Sequence, residues 1–347
     1  MRYHHLFATA AAAAFVAVAA IAQSTAPTKG TVESTSQVEQ GLLQTQVLLD
    51  EAGFSPGPID GRAGSSQTKA IRGFQQANGL TVTGKLDEQT KQALDRDGRP
   101  ATVDVKLAAE DVGGPFTYPM PNEPEDLEKL SFLGYRNMLE KLAERYHTTP
   151  ETIVALNGSD RMIGVGQTLT LPNVVPSSRD YSGANPKQEP LLAALNVEAS
   201  QPRGDYVLVD KSEGTLQVYE GDFPSGTKPA GKLIAQFPVT TGSGHDPLPL
   251  GTWKATTYSF LPPFNYQPDL FWDVSDDKAE RKLPPGPNGM VGVAWLDLTK
   301  EHYGIHGTPE PQLIGKTQSH GCLRMTNWDV MRLSLMMKLG FRAKFVA

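Results

Sequence analysis

Two stretches rich in proline and glycine and poor in apolar periodicity, 95–126 and 173–203, divide this chain into three blocks, so no single core runs through it. The first carries Pro100, Gly113-Gly114, Pro115, Pro119, Pro121 and Pro124, with room for one short strand. The second carries Pro176, Gly183, Pro186, Pro190 and Pro202 around a brief Leu191–Leu195 helix. At 347 residues the length agrees, because domains run to roughly 150 residues each. Gly (33) and Pro (27) make up about 17% of the chain, short of the roughly 25–30% of disordered sequences, and 39% hydrophobic residues can fill real cores. The expected class is multidomain α+β.

The N-terminus bears on compartment. Arg2 precedes an uncharged run from Leu6 to Ala22 that closes on Ala20-Ile21-Ala22, a small-x-small cleavage pattern, so 1–22 is expected to be a secretory signal peptide. The alternative is an uncleaved anchor, since 17 residues sit at the low edge of the roughly 17–25 that span a bilayer. With the signal cleaved there is no integral membrane anchor, and Ser/Thr-rich 24–36 is a flexible mature N-terminus. An exported chain with one cysteine holds no internal disulfide, and a free thiol is a liability in an oxidising compartment, so Cys322 needs a reason to be there. No cysteine follows the signal to take a lipid. A formal charge of −6 with no Lys/Arg block disfavours a nucleic-acid partner.

In the first block Leu42, Leu43, Val47 and Leu48 recur at helical spacing, Gly53 to Gly64 form a loop, and Ala70, Ile71 and Phe74 begin a second helix that Gly79 ends. A third short helix is expected over 87–94. The strings Phe54-Ser55-Pro56-Gly57-Pro58-Ile59-Asp60-Gly61, Phe74-Gln75, Asn78-Gly79-Leu80 and Val82-Thr83-Gly84-Lys85-Leu86-Asp87 resemble the three-helix peptidoglycan-binding domain over 38–95. That resemblance implies a wall target; the residues alone also fit a helical spacer that binds nothing.

The middle block places Met138, Leu139, Leu142 and Ala143 on one helix face. Thr149-Pro150 then gives an N-cap and a first-turn proline before Ile153, Val154 and Leu156. With Ile153-Val154-Ala155-Leu156-Asn157 and Val165-Gly166-Gln167-Thr168-Leu169-Thr170-Leu171-Pro172, the segment 116–173 resembles a LysM domain, a small β-α-α-β glycan binder. Gly134-Tyr135-Arg136-Asn137 departs from the family's turn at the sugar groove, so a purely structural module stays open.

The last block, from Gly204, is mainly β: a hairpin over Tyr206–Asp210 and Thr215–Tyr219, further strands at 232–241, 251–258, 291–298, 303–307 and 341–346, and one helix, Asn327 to Leu339, capped by Thr326. It holds Tyr303-Gly304-Ile305-His306-Gly307-Thr308 and then Ser319-His320-Gly321-Cys322-Leu323-Arg324-Met325. A free thiol is only a few per cent thiolate at neutral pH, so a nucleophilic cysteine needs a neighbouring base or cation, which His306 or His320 can supply. A metal site on His302, His306 and His320 is disfavoured, because i, i+4 spacing on a strand does not bring side chains together and no His-Glu-x-x-His occurs.

The two strings together resemble the signature of the L,D-transpeptidase (YkuD-type) catalytic domain over 204–347. Phe237-Pro238-Val239-Thr240-Thr241-Gly242, Pro249-Leu250-Gly251-Thr252-Trp253 and Pro284-Pro285-Gly286-Pro287-Asn288 fall in that family's order. The resemblance implies the following roles. Cys322 attacks the carbonyl of the third residue of a stem tetrapeptide and expels D-alanine; His306 takes the thiol proton; the Gly307 carbonyl is the third catalytic element. Ser319, His320 and Gly321 form the oxyanion or substrate pocket, and Arg324 binds a substrate carboxylate. Tyr266, Phe271 and Trp272, in an aromatic proline-rich loop, are candidates for a lid that excludes water, or for a mini-core that pins the loop. No cofactor and no metal are expected.

The full architecture implied is a small three-helix domain, a LysM-like module and a C-terminal catalytic domain with one helix after Cys322. The expected partners are peptidoglycan stem peptides and glycan, with a wall-attached lipoprotein as a further acceptor, in the periplasm against the cell wall. Water as acceptor would make the chain a carboxypeptidase or amidase, and a scaffold without catalysis would make it a wall-binding protein.

Overall fold

The computed structural model describes residues 38–95, 98–272, 274–275 and 277–347. The signal peptide expected over 1–22 and the stretch 24–36 lie outside them.

The first block forms three helices, α1 (Gln40–Glu51), α2 (Ser65–Ala77) and α3 (Glu88–Leu94). Two buried glutamines tie its loops to its helices. Gln46 Oε1 accepts from Asp60 N (2.9 Å) and Gly61 N (2.7 Å), and Gln75 Oε1 accepts from Thr83 N (2.9 Å) and Gly84 N (2.8 Å). Each supplies the partner that a buried loop amide must have.

In the middle block β1 (Thr102–Lys106) is followed by α4 (Ala109–Val112), α5 (Pro124–Leu127), α6 (Met138–Arg145), α7 (Pro150–Asn157) and β2 (Thr168–Pro172), and then α8 (Glu189–Ala194). β1 pairs antiparallel with β2, Thr102 opposite Pro172 and Lys106 opposite Thr168. The one strand of the segment 95–126 therefore belongs to a sheet that closes around α6 and α7. Asn137 and Thr149 cap those helices through Glu140 N (2.9 Å) and Thr152 N (3.2 Å). The core here, Leu107, Leu142, Tyr146, Ile153, Leu169 and Leu171, is continuous with Leu43, Val47 and Ile59 of the first block.

The last block supplies β3 (Gly204–Asp210), β4 (Thr215–Glu220), β5 (Lys232–Pro238), β6 (Gly251–Phe260), β7 (Phe264–Tyr266), β8 (Arg281–Leu283), β9 (Ala294–Leu298), β10 (Gly304–His306), β11 (Leu323–Arg324), α9 (Asn327–Met336) and β12 (Met337–Val346). Eight strands make one sheet in the order β11-β10-β9-β6-β12-β3-β4-β5, and β7 and β8 form a separate hairpin. The helix expected to run to Leu339 stops at Met336. Met337 pairs with Gly204 and its carbonyl accepts from Tyr258 Oη (3.0 Å), so the sheet takes the backbone that would have extended the helix.

The near-continuous apolar run of β3 reflects a sheet covered on both faces. Val207 and Val209 join α8 and α9 in one core. Tyr206 and Leu208 alternate to the other face and meet Leu48, Leu49, Phe54, Ile71 and Phe74 of the helical first block. The three blocks thus pack directly on one another. At their meeting point Arg332 Nη1 donates to Asp50 Oδ1 (3.1 Å). The His147 ring lies between Asp50 Oδ2 (3.1 Å) and the Leu195 carbonyl (2.7 Å), stacked on Trp328 with centroids 5.1 Å apart.

Candidate active site

β10 sits between β9, antiparallel, and β11, parallel, with His306 opposite Trp295 on one side and Arg324 on the other. Residues directly opposite share a face, so the register alone flanks the His306 ring with an indole and a guanidinium. The Trp295 and His306 rings stack with centroids 5.3 Å apart. Beyond the strand His306 Nδ1 meets the Gly307 carbonyl oxygen at 2.7 Å. A carbonyl only accepts, so Nδ1 carries the proton and the lone pair is on Nε2. Burial, with Arg324 nearby, pushes the His306 pKa down to about 3, against a smaller upward pull from the Gly307 bond. The imidazole is neutral at neutral pH, with Nε2 as its basic atom.

Cys322 immediately precedes β11, so it falls level with the start of β10. Its Sγ lies 3.6 Å from the His302 carbonyl oxygen. Burial raises the thiol pKa, against downward pulls from the Gly304 backbone and Arg324. The thiol and the imidazole are therefore both neutral at neutral pH. The loop that presents it is fastened from three directions. Ser319 Oγ donates to the Cys322 carbonyl (2.6 Å), Ser319 N to Thr241 O (3.0 Å), and Thr240 and Arg324 exchange both backbone bonds at 3.0 Å. Gly321 stands at φ +98°, and a Cβ there would come within 2.6 Å of Tyr303 Cε1. Only glycine meets both conditions.

His306, Cys322, Arg324, Ser319 and His320 line one cleft of ≈ 680 Å³, together with Trp295, Tyr303 and a wall from the loop after β6. Gly307 stays behind it, packed so tightly on Asn327 that a Cβ would lie 2.2 Å from Oδ1. Of the aromatic loop, Phe271 lines the cleft and meets His320 edge-on at 4.9 Å. Trp272, 55% exposed, stacks on His245 at 4.3 Å. Tyr266 is buried with Leu127, Leu133 and Leu283 and does not line the cleft, so it acts as mini-core rather than lid. Of the three, Phe271 alone lines the cleft, and Trp272 lies outside its lining.

The family model for YkuD, the L,D-transpeptidase catalytic domain, matches residues 204–344. The chain carries an L,D-transpeptidase catalytic domain. A second model, described as "Putative peptidoglycan binding domain", matches residues 39–94. Two Bacillus proteins named "Putative L,D-transpeptidase YkuD" resemble it. That of B. licheniformis is 27% identical over 208 residues, 59% of this chain and 90% of that protein. That of B. subtilis is 52% identical over 56 residues, 16% of this chain and 34% of that protein. L,D-transpeptidase 3 from Mycobacterium tuberculosis, solved with a faropenem-derived adduct, is 16% identical with a TM-score of 0.30, covering 41% of this chain and 60% of that one.

Three residues of the transpeptidase domain's surroundings escaped the sequence reading. Trp295 looks like one more strand aromatic until the register sets it against His306. Asn327 accepts from Val293 N (3.0 Å) and donates to the Pro287 carbonyl (3.3 Å), knitting the chain behind Gly307. Its amide also donates to Glu144 Oε2 (3.0 Å) on α6, a carboxyl that burial pushes up to about 8. A glutamate between Ala143 and Arg145 reads as surface; only the packing of α6 on α9 buries it.

Proposed function

We propose that this protein is a cell-wall L,D-transpeptidase that works through a thioester on Cys322. The observation that carries the reading is the 2.7 Å contact of His306 Nδ1 with the Gly307 carbonyl, which leaves Nε2 unprotonated in the cleft that Cys322 lines. His306 Nε2 takes the Sγ proton as sulfur attacks the carbonyl of the third stem residue. The collapsing tetrahedral adduct breaks the amide bond, and the same proton passes to the departing amine of D-alanine. An acceptor amine then attacks the thioester, giving its proton to Nε2 while sulfur leaves as thiolate, and Nε2 returns that proton to sulfur. One amide replaces another and no external energy source is needed.

Around that pair, the backbone N–H groups of Gly321 and Cys322 stabilise the oxyanion, and Ser319 and His320 hold the pocket's shape. Arg324, its pKa drawn down by burial at the cleft, gains most from pairing with a substrate carboxylate. Phe271 and Trp272 limit water, which competes with the amine for the thioester. The acceptor is a second stem peptide, giving a 3-3 crosslink; a lysine of a wall-attached lipoprotein would use the same intermediate. The three helices at 39–94 hold the enzyme on peptidoglycan. The LysM-like module expected over 116–173 adds glycan contact; its β2 pairs with a strand, β1, that lies ahead of that range, with α4 and α5 between β1 and α6. The location is the periplasm, reached by a signal peptide; among the described residues no helix is long and apolar enough to cross a membrane.

Incubation with purified disaccharide-tetrapeptide, read by mass spectrometry, tests this. Crosslinked dimer and free D-alanine support it. Tripeptide without dimer makes the protein a hydrolase, and unchanged substrate together with no faropenem adduct leaves a wall-binding protein.

A further inference from the structure

The cleft's hydrophobic wall belongs to an arm, 261–291, whose inner side includes Phe264, Leu270, Phe271 and Met290. The secondary structure within it is slight: β7 and β8 pair over three residues each, Phe264 opposite Leu283 and Tyr266 opposite Arg281. A two-stranded hairpin of that size does not hold its place unaided. Its support comes from outside the transpeptidase domain. Leu127 and Leu133, both ahead of α6, share a buried core with Tyr266 and Leu283. Arg281 pairs with Glu125 (3.3 Å) and Glu128, and Lys278 with Glu123 (3.8 Å). The backbones are joined too, Leu133 N donating to Pro285 O (2.8 Å) and Asn288 N to Leu133 O (3.1 Å). Gly286, at φ +152°, lies where a Cβ would come within 2.1 Å of that Leu133 carbonyl, so the arm's own sequence is adapted to the contact. Phe271 links the two sides: its ring tilts against Tyr266 at 5.3 Å in the shared core and meets His320, two residues from Cys322, at 4.9 Å.

We propose that the segment Glu123–Gly134 is a clasp that positions the cleft's hydrophobic wall, and that Leu133 and the Glu125/Glu128–Arg281 cluster thereby set how the thioester partitions between amine and water. The inference rests on the transpeptidase reading above. A wall held close leaves room for an extended peptide and little for water; a released wall admits both. The clasp residues are positioning residues and act through Phe271. Gly286 and the acidic residues of α5 opposite Arg281 join the arm to the middle block, so the isolated transpeptidase domain would lack the support of its own cleft wall.

Charge reversal tests this in the full-length protein, where all three side chains are part-exposed. Arg281→Glu is expected to lower the dimer-to-tripeptide ratio about three- to tenfold and to raise KM for the tetrapeptide more than it lowers kcat. It should also speed hydrogen exchange across 264–283, while leaving the rate of Cys322 alkylation by iodoacetamide unchanged. Adding Glu125→Arg and Glu128→Arg to that variant should restore both ratio and exchange. An unchanged ratio, or a swap that restores neither, overturns the clasp. A wild-type protein that releases no D-alanine overturns the transpeptidase reading instead, and the exchange data still decide whether the segment holds the arm.

Discussion

Arg332 and Asp50, 282 residues apart in sequence, meet at 3.1 Å with side chains only 4% and 5% exposed. Arg332 also donates to the Asp50 backbone carbonyl, and the guanidinium sits over Phe237. The helix that follows Cys322 is thus bolted to the first helix of the region that matches the peptidoglycan-binding model, with the middle module's His147 as the third member.

Removing Asp50 takes away the closest counter-ion of the buried guanidinium and leaves it only Asp329, at 3.9 Å. Asp50→Ala is expected to destabilise the protein by about 3–5 kcal/mol. Urea unfolding followed by tryptophan fluorescence checks it. Burial raises the Asp50 pKa but Arg332 and His147 outweigh it, leaving the value lowered. The pair's contribution is therefore complete above the ordinary carboxylate pKa of 3.8 and is lost as pH falls through the lower folded value.

The neutral resting pair gives a pH signature. With the Cys322 thiol raised by burial and His306 down to about 3, alkylation by iodoacetamide should keep accelerating through pH 9. A plateau below pH 7 would instead mark a preformed thiolate–imidazolium pair. His306→Ala should lower kcat by about 10²–10⁴, the usual worth of a general base, and, because it empties a buried site against Trp295, should lower thermal stability as well.

Glu144 supplies a second pH effect. Its folded pKa of about 8 lies above the ordinary 4.5, so between those values the folded protein holds a proton that the unfolded chain has released. Stability from this group is full below 4.5 and falls as pH rises through 8. Glu144→Gln keeps an acceptor for Asn327 and should flatten the decline between pH 6.5 and 8.5 by about 1–2 kcal/mol. Thermal melts of both proteins across that range measure it.

Gly321→Ala is expected to act on catalysis more than on stability. A side chain must adopt φ +98° and displace Tyr303, at a strain of about 1–3 kcal/mol, in the loop that carries both proposed oxyanion donors. A loss of kcat of about 10²–10³, with KM changed far less, is the expected kinetic result.

That His306 and Cys322 share a cleft was legible because the two strings, Ile305-His306-Gly307 and Gly321-Cys322-Leu323, are each local and distinctive. The fold around it was legible where periodicity is strong, as in α2 and in β3 to β5. What stayed hidden depends on register or on packing between distant segments. Trp295 reaches His306 only through the β9–β10 register, and the β7–β8 hairpin is too short to announce itself. Tyr266 looks like any aromatic of a lid loop until Leu127 and Leu133 bury it. The two proline-rich stretches read as spacers with one short strand and one brief helix, yet the first also supplies α4 and α5, because proline and glycine mark irregular backbone without saying whether it is packed.

The most direct test is the intact mass of the full-length protein mixed with disaccharide-tetrapeptide and no added acceptor, beside its Cys322→Ala variant. The account predicts a transient adduct equal to the donor less D-alanine, mapped to Cys322 and lost in the variant. Product formation by the variant, or an adduct on any other residue, would contradict it.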